Sequence, residues 1–169
     1  MIFIDTETTG LSDARLVELS YKRDNGPIIT IRCKPTKPIE IEASCVNGIS
    51  NDDVADLPYF KDMPEYVFVK KLLESPFETV IGHNVSFDLS VLNREDIHPV
   101  QYLCTKDKAK TVLKDSPRHN LQYLRYYLNL KPQGHAVAHT SAGDVAVLYE
   151  LWKVLSPTPA VGGIDVPLT

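Results

Sequence analysis

The sequence predicts an α/β protein in which a mixed sheet is covered by helices. Three observations predict it. A short apolar run and a hairpin of two more open the chain, single short apolar runs then alternate with helical stretches, and a long helix with an apolar stripe comes last. Read in order, the elements are β, ββ, α, β, α, β, α.

The first strand is Ile2 to Asp5, and Thr8-Thr9-Gly10 after it has turn chemistry. Arg15 to Tyr21 (RLVELSY) alternates with period two, as a half-buried strand does. Asp24-Asn25-Gly26-Pro27 is a turn, and Ile28 to Cys33 returns as the hairpin partner, so two antiparallel neighbours lie beside the first strand. Pro35 and Pro38 break the pattern. Glu42 to Val46 reads as a short helix closed by Asn47-Gly48, because glycine suits a left-handed cap. Ser50-Asn51-Asp52-Asp53 starts another helix. Pro64 to Glu74 has helical spacing, with Val67, Leu72 and Leu73 as its core contacts. Thr79 to Ile81 is a buried strand, Ser86 to Leu92 a helix, and Tyr102 to Cys104 a further strand. Helices follow over Lys106 to Leu113 and Leu121 to Leu128. The last begins near Ser141, with Ala142, Val145, Leu148, Tyr149, Trp152 and Leu155 forming one stripe. Residues 1–155 thus make one domain, and residues 156–169, with three prolines and two glycines, read as a flexible tail.

A chain of 169 residues with net charge −4 carries no global basic field, although carboxylates gathered around metal would mask a local basic patch. Cys33, Cys45 and Cys104 are odd in number and widely spaced, which fits neither a disulfide framework nor a zinc knuckle. No apolar stretch is long enough to span a membrane. The expectation is a cytoplasmic protein.

The first strand ends in Asp5-Thr6-Glu7, and side chains two apart share a face of a strand. Adjacent carboxylates repel unless a cation sits between them. The pair is either solvated at a strand tip or a ligand set for a hard divalent ion. A second carboxylate, Asp88, follows the next buried strand at a helix start, and strand ends of an α/β sheet tend to share one crevice. Beside it, Asn84 reads as a helix cap, and Phe87 as a core side chain or a surface for stacking a base. A third, Asp144, lies in the first turn of the final helix. Thr140 and Ser141 are cap residues, which puts His139 on the incoming loop, within reach of Asp144 as a general base. His135 competes for that role from farther back. Lys108, Lys110, Lys114 and Arg118 form either a rim that tracks phosphates or ordinary solvated helix faces.

The three stretches Asp5 to Leu11 (DTETTGL), His83 to Asp88 (HNVSFD) and His139 to Asp144 (HTSAGD) resemble, in order and separation, the motifs of the DEDDh group. These are the DnaQ-like 3′→5′ exonucleases of the ribonuclease H-like superfamily, and the resemblance spans Ile2 to about Leu155. In size and motif spread the chain is most similar to compact stand-alone members and to proofreading subunits of bacterial replicative polymerases. The resemblance implies a ribonuclease H-like mixed five-stranded sheet flanked by helices. It implies that Asp5, Glu7, Asp88 and Asp144 hold two divalent ions, Mg²⁺ with Mn²⁺ able to substitute, and that His139 activates the attacking water. Thr140 stands where a sister group has tyrosine, so the histidine type is favoured. Thr8, Thr9, Gly10 and Leu11 fall where relatives contact the terminal nucleotide. So does Asn47, but relatives have histidine there, which puts its role at the terminal sugar in question. Asn84 and Phe87 are further candidates for contact with substrate. The implied activity is hydrolysis of DNA from a free 3′ end of a single strand or frayed duplex, releasing nucleoside monophosphates. A polymerase or repair partner fits but is not identifiable. Two rivals share the motifs: an RNA-directed exoribonuclease or oligoribonuclease, and a non-catalytic nucleic-acid-binding module. The presence of all five expected catalytic residues argues against the second.

Overall fold

In the computed structural model, which describes residues 1–132, 134 and 137–156, the opening apolar run becomes the middle strand of a five-stranded sheet. Strand β1 (Ile2–Thr8) has β2 (Leu16–Arg23) and then β3 (Ile28–Arg32) on one side, and β4 (Val80–Gly82) and then β5 (Tyr102–Cys104) on the other. The first three strands are antiparallel neighbours, whereas β4 and β5 run parallel to β1 and are reached through helical crossovers. The predicted mixed sheet is present. However, β1 continues three residues past its expected end at Asp5, because β2 pairs with it as far as Thr8. A bulge between Glu7 and Thr8 ends the regular register. Asp5 and Glu7 therefore both belong to a hydrogen-bonded strand.

Helices α1 (Ile41–Asn47), α2 (Asn51–Val54) and α3 (Glu65–Leu73), with a 3-10 turn at Phe60–Asp62, lie between β3 and β4. Helix α4 (Ser86–Arg94) joins β4 to β5, and α5 (Thr105–Val112), α6 (Leu121–Tyr127) and α7 (Ser141–Leu155) complete the order. The local chemistry explains several boundaries. Gly48 ends α1 with φ 70°, a left-handed conformation that glycine adopts without strain. Ser50 and Asp53 exchange side-chain to backbone hydrogen bonds across the first turn of α2. Thr140 caps α7, its hydroxyl oxygen accepting the Gly143 N–H at 3.1 Å. Asn84 does not cap α4 as expected. It turns the chain at φ 70°, and α4 starts without a side-chain cap.

The alternation of β1 sorts the core into two layers. Ile2 and Ile4 point to one face, where they meet Leu19, Tyr21 and Ile31 of the hairpin, Val69 and Leu73 of α3, and Val91 and Leu92 of α4. Phe3 points to the other, where it packs with Ile81, Leu124 of α6 and the apolar length of α7. Two sequence expectations need correction. Val67 is 57% exposed, and the core face of α3 is carried by Val69 and Leu73, one turn apart. Helix α7 is buried on more than the expected stripe. Ala146, Val147 and Leu151 are buried as well, while Tyr149 and Trp152 edge the layer with Lys22, Lys153 and Lys108 over their rings. The proposed tail from residue 157 onward lies outside the described residues. With this layering, Leu151→Ala should cost about 2–5 kcal/mol of stability. Val67→Ala changes it by no more than about 0.5 kcal/mol. The two urea midpoints measure both.

Candidate active site

Three elements bring four carboxylates to the tip of β1. Asp5 and Glu7 come from the strand itself and stand on the face covered by α7. Asp88 comes from the first turn of α4 and is only 4% exposed. One of its oxygens, Oδ1, accepts both the Thr6 backbone N–H at 3.1 Å and the Thr6 hydroxyl at 2.8 Å, so Asp88 is tied to the strand residue between Asp5 and Glu7. Asp144 comes from the first turn of α7, where the side-chain amide of Gln122 and the backbone N–H of His139 donate to it.

The electrostatics follow from this crowding. Burial, and then the charges of Asp88, Asp144, Glu7 and Glu18, push the Asp5 carboxyl well above its usual range. Burial and the charges of Asp144, Glu18 and Asp88 push Glu7 up to about 8. Burial lifts Asp88 to about 7 against the Thr6 hydrogen bonds, and lifts Asp144 against the Gln122 amide. Among the described residues no three such groups already close around a single point as ligands would. The hydrogen bonds from Thr6 and Gln122 hold Asp88 and Asp144 in place against the repulsion. The donor set itself fits a divalent cation. It offers carboxylate oxygens alone, the choice of hard ions, and each group carries an energetic cost of ionisation that a cation relieves.

His139 stands where its loop enters α7, exposed and with φ 60°, and its charge is felt by Asp144. His135 lies outside the described residues. The substrate-contact candidates divide. Thr8, Gly10, Leu11, Asn47 and Phe87 line one cleft of about 510 Å³ that Glu7 also borders. Leu11 is its most open wall, 88% exposed. Phe87 packs against the core below, as one of its two readings expects, and also lines the cleft. Thr8 and Thr9 spend their hydroxyls on the turn, Thr8 donating to the Gly10 carbonyl at 2.8 Å and Thr9 accepting the Arg15 N–H at 3.1 Å. Asn47 is buried, with its oxygen accepting the Ile49 N–H at 2.9 Å and its nitrogen directed at the Thr8 carbonyl at 3.4 Å. Asn84 is exposed and does not line this cleft. Of the basic residues after β5, Lys108 lies over Trp152 and Lys110 pairs with Asp107 at 3.0 Å, whereas Lys114 and Arg118 are exposed.

Several contributors escape a reading by motif. Gln122 carries no signal beyond its place after the capping Asn120. Glu18 had one, a charge set inside the apolar alternation of β2, and it is buried. Glycine at 143 is required by close approach, because a Cβ there would overlap the Val137 carbonyl oxygen. His83, the first residue of the second motif, is a strut. Its ring bonds Thr105 at 2.9 Å and the His119 carbonyl at 2.8 Å, and burial pushes it down to about 4, so it is neutral.

A strand tip carrying convergent carboxylates on a mixed sheet of this order defines a metal-dependent nuclease of ribonuclease H-like architecture. The exonuclease family model (RNase_T) matches residues 2–152, so the chain belongs to that family, within its DnaQ-like 3′→5′ exonucleases, which depend on divalent metal. The chain is 27% identical over 179 residues to DNA polymerase III subunit epsilon of Buchnera aphidicola subsp. Schizaphis graminum, covering 92% of this chain and 74% of that one. It is 33% identical over 172 residues to the same subunit of Rickettsia prowazekii, covering 92% and 73%. Its fold is similar to that of exonuclease X in complex with 5′ overhanging duplex DNA, with a TM-score of 0.67, 24% identity and 94% of each chain covered.

Two outcomes follow from this geometry. Between the ordinary carboxyl range and about 8 the folded chain holds protons on Glu7 and Asp88 that the unfolded chain has lost, so metal-free stability falls as pH rises. Neutral His83 works in the opposite direction, but only between about 4 and its ordinary 6.5. The metal-free thermal midpoint should therefore drop between pH 6.5 and 8, and Mg²⁺ should flatten the drop; a flat metal-free profile would refute the crowding. Second, Gly143→Ala forces the Val137 carbonyl back and should cost about 1–3 kcal/mol, as overpacking does. Thermal unfolding beside an Ala142→Gly control reads this out.

Proposed function

We propose that this chain removes nucleotides one at a time from the 3′ end of DNA, with Asp5, Glu7, Asp88 and Asp144 holding two divalent ions, Mg²⁺ by preference. The observation that carries this reading is the gathering of the four carboxylates at one strand tip: Asp88 is bonded to Thr6 between Asp5 and Glu7, and the charges of Asp88 and Asp144 are felt by both strand carboxylates. When bound, the ions supply a clamp of positive charge on the attacking and leaving oxygens. The protein's own residues do the rest. His139, on an exposed loop beside Asp144, takes the proton of the attacking water. The turn of Thr8 to Leu11 receives the terminal nucleotide, with Leu11 as an apolar wedge and Phe87 as a wall of the cleft. Water adds to the phosphorus, the bond to the 3′ oxygen of the preceding nucleotide breaks, and a nucleoside 5′-monophosphate leaves with a new 3′-OH behind it. The roles of Asn47 and Asn84 differ from those of direct contacts: Asn47 ties the end of α1 to the strand tip, and Asn84 turns the chain. The names of the relatives favour DNA over RNA and association with a polymerase, and the protein acts in the cytoplasm. Among the described residues no helix is long and apolar enough to cross a membrane.

The test is digestion of 5′-labelled single strands, DNA beside RNA of matched sequence, with Mg²⁺ and with chelator. Shortening should proceed from a free 3′-OH and stop on circular strands; cutting of a closed circle would mean an endonuclease. Asp5→Asn, Glu7→Gln, Asp88→Asn and Asp144→Asn should each remove nearly all turnover. His139→Ala should lower kcat by about 10²–10⁴-fold, and His135→Ala should be mild. A crippled His135→Ala with an active His139→Ala would reassign the base.

A further inference from the structure

Behind the four carboxylates lies a fifth, Glu18 of β2, that none of the sequence motifs contains. It is 5% exposed and stands directly across the strand pair from Glu7, on the same face. A bare carboxylate in that place would add to the repulsion, or would be drawn in as another metal ligand. The charge of Glu18 does reach Asp5 and Glu7, but its oxygens are engaged elsewhere. Its Oε2 accepts Nε and Nη2 of Arg32, its neighbour on β3, at 2.8 and 2.7 Å. Its Oε1 accepts the hydroxyl of Ser141 at 2.6 Å. With both oxygens hydrogen-bonded, Glu18 is held as an acceptor for Arg32 and Ser141.

Its second bond crosses from the sheet to the helix that carries Asp144. Ser141 is the first residue of α7, fully buried, one turn before Asp144 and two residues after His139. The bond also sets the direction of a hydroxyl chain. An ionised carboxylate only accepts, so Ser141 must donate to it. The Ser141 oxygen is then left to accept from Ser20, at 2.7 Å, and the Ser20 oxygen to accept from Thr30, at 2.7 Å. Ser20 is the cross-strand partner of Asp5, as Glu18 is of Glu7. Each metal-ligand candidate on β1 thus has as its neighbour a member of one buried network, and that network ends on the start of α7. Hydrogen-bonded polar partners in a dry site strengthen one another and specify one arrangement.

We propose that Glu18, held by Arg32 and bonded to Ser141, is a positioning residue that sets the start of α7, and with it Asp144 and His139, against Asp5 and Glu7. The proposal rests on the metal-dependent reading above. The physical need for such a device is plain. Asp144 is on a helix and Asp5 and Glu7 are on a strand, the groups repel, and a misplacement of about 1 Å in such a site costs on the order of 10²-fold in rate. A network that only stapled the helix to the sheet would affect stability and leave the metal site unchanged; one that positions the ligands must alter metal affinity.

The deciding measurement is Mn²⁺ binding to the full chain, without DNA, by calorimetry. The proteins are wild type, Ser141→Ala, Glu18→Gln, the double of these two, and Glu18→Gln/Arg32→Gln. Ser141→Ala and Glu18→Gln should each weaken Mn²⁺ binding by about 10–100-fold, the usual effect of removing a group that orients a ligand. Their double should lose little more than the worse single, because both act through one bond. In Glu18→Gln/Arg32→Gln a neutral amide can accept from Ser141 and donate to the second amide, so most of the affinity should return. Unchanged Mn²⁺ affinity in both single variants overturns the proposal, as does a loss that follows the thermal midpoint and is not recovered in Glu18→Gln/Arg32→Gln. If both singles fail to fold, the decision falls to that last variant, which must fold and bind Mn²⁺ within about tenfold of wild type. Because the readout needs no DNA, it is separate from the exonuclease reading. Wild type that binds Mn²⁺ but releases no nucleotides fails that reading alone, and wild type that releases nucleotides while the variants bind Mn²⁺ normally fails this one alone.

Discussion

Four carboxylates within mutual influence at one strand tip repel one another, and much of the surrounding structure exists to hold them there regardless. The strand supplies two of them, and its pairing with β2 through Asp5 and Glu7 holds that stretch of backbone in place. Thr6 anchors the third with two hydrogen bonds and Gln122 anchors the fourth with one. Each anchor leaves part of the carboxylate free, which is what a ligand requires. The cost appears as raised proton affinities: burial raises all four, and the neighbouring carboxylates add to it at Asp5 and Glu7. A fold that tolerates such a cost without a cation is prepared to gain stability when one binds, since binding to the folded state alone is stabilising.

The legible part of this arrangement was the part written in local pattern. Period two in RLVELSY and the Asp24 to Pro27 turn showed the hairpin, and the carboxylates at successive element ends showed the site, because strand geometry and helix starts are local properties. Long-range pairing was not legible in the same way. Nothing in residues 5 to 8 says that β2 will follow β1 to Thr8, so the local pattern alone ends the strand at Asp5. Val67 fits a helical stripe as well as Val69 does, and only the packing of α3 on the sheet decides between them. The apolar pattern of helix α7 is one-sided, whereas its flanking coverage comes from tertiary packing against α5, α6 and the hairpin. Asn84 has the composition of a cap but the backbone of a turn.

Asn47 shows how a departure from a family pattern can change the kind of role rather than its strength. Both ends of its amide are directed at backbone, one at Ile49 beyond the glycine cap and one at Thr8 on the strand tip. The side chain therefore braces α1 against the turn after the strand tip, and on the proposed reading has little capacity left for a sugar. Glu40 crowds the same turn from the other side, its backbone N–H donating to the Thr9 carbonyl at 2.9 Å and its carboxylate lying where a side chain on residue 10 would go. The cleft thus has a braced floor and open apolar walls in Leu11 and Val46.

The same cleft is acidic, with Glu7, Glu40 and Glu42 on its border, in a chain of net charge −4. A polyanion approaching it meets like charge at short range. Of the basic residues that follow β5, Lys108 lies over an aromatic ring and Lys110 pairs with Asp107, while Lys114 and Arg118 are exposed. On the proposed reading the divalent ions therefore act before any chemistry occurs, by reversing the sign of the field that a terminal phosphate meets. Binding of metal and binding of substrate then share one electrostatic origin. Each favours the other, and the coupling is reciprocal because both are equilibria of the same folded state.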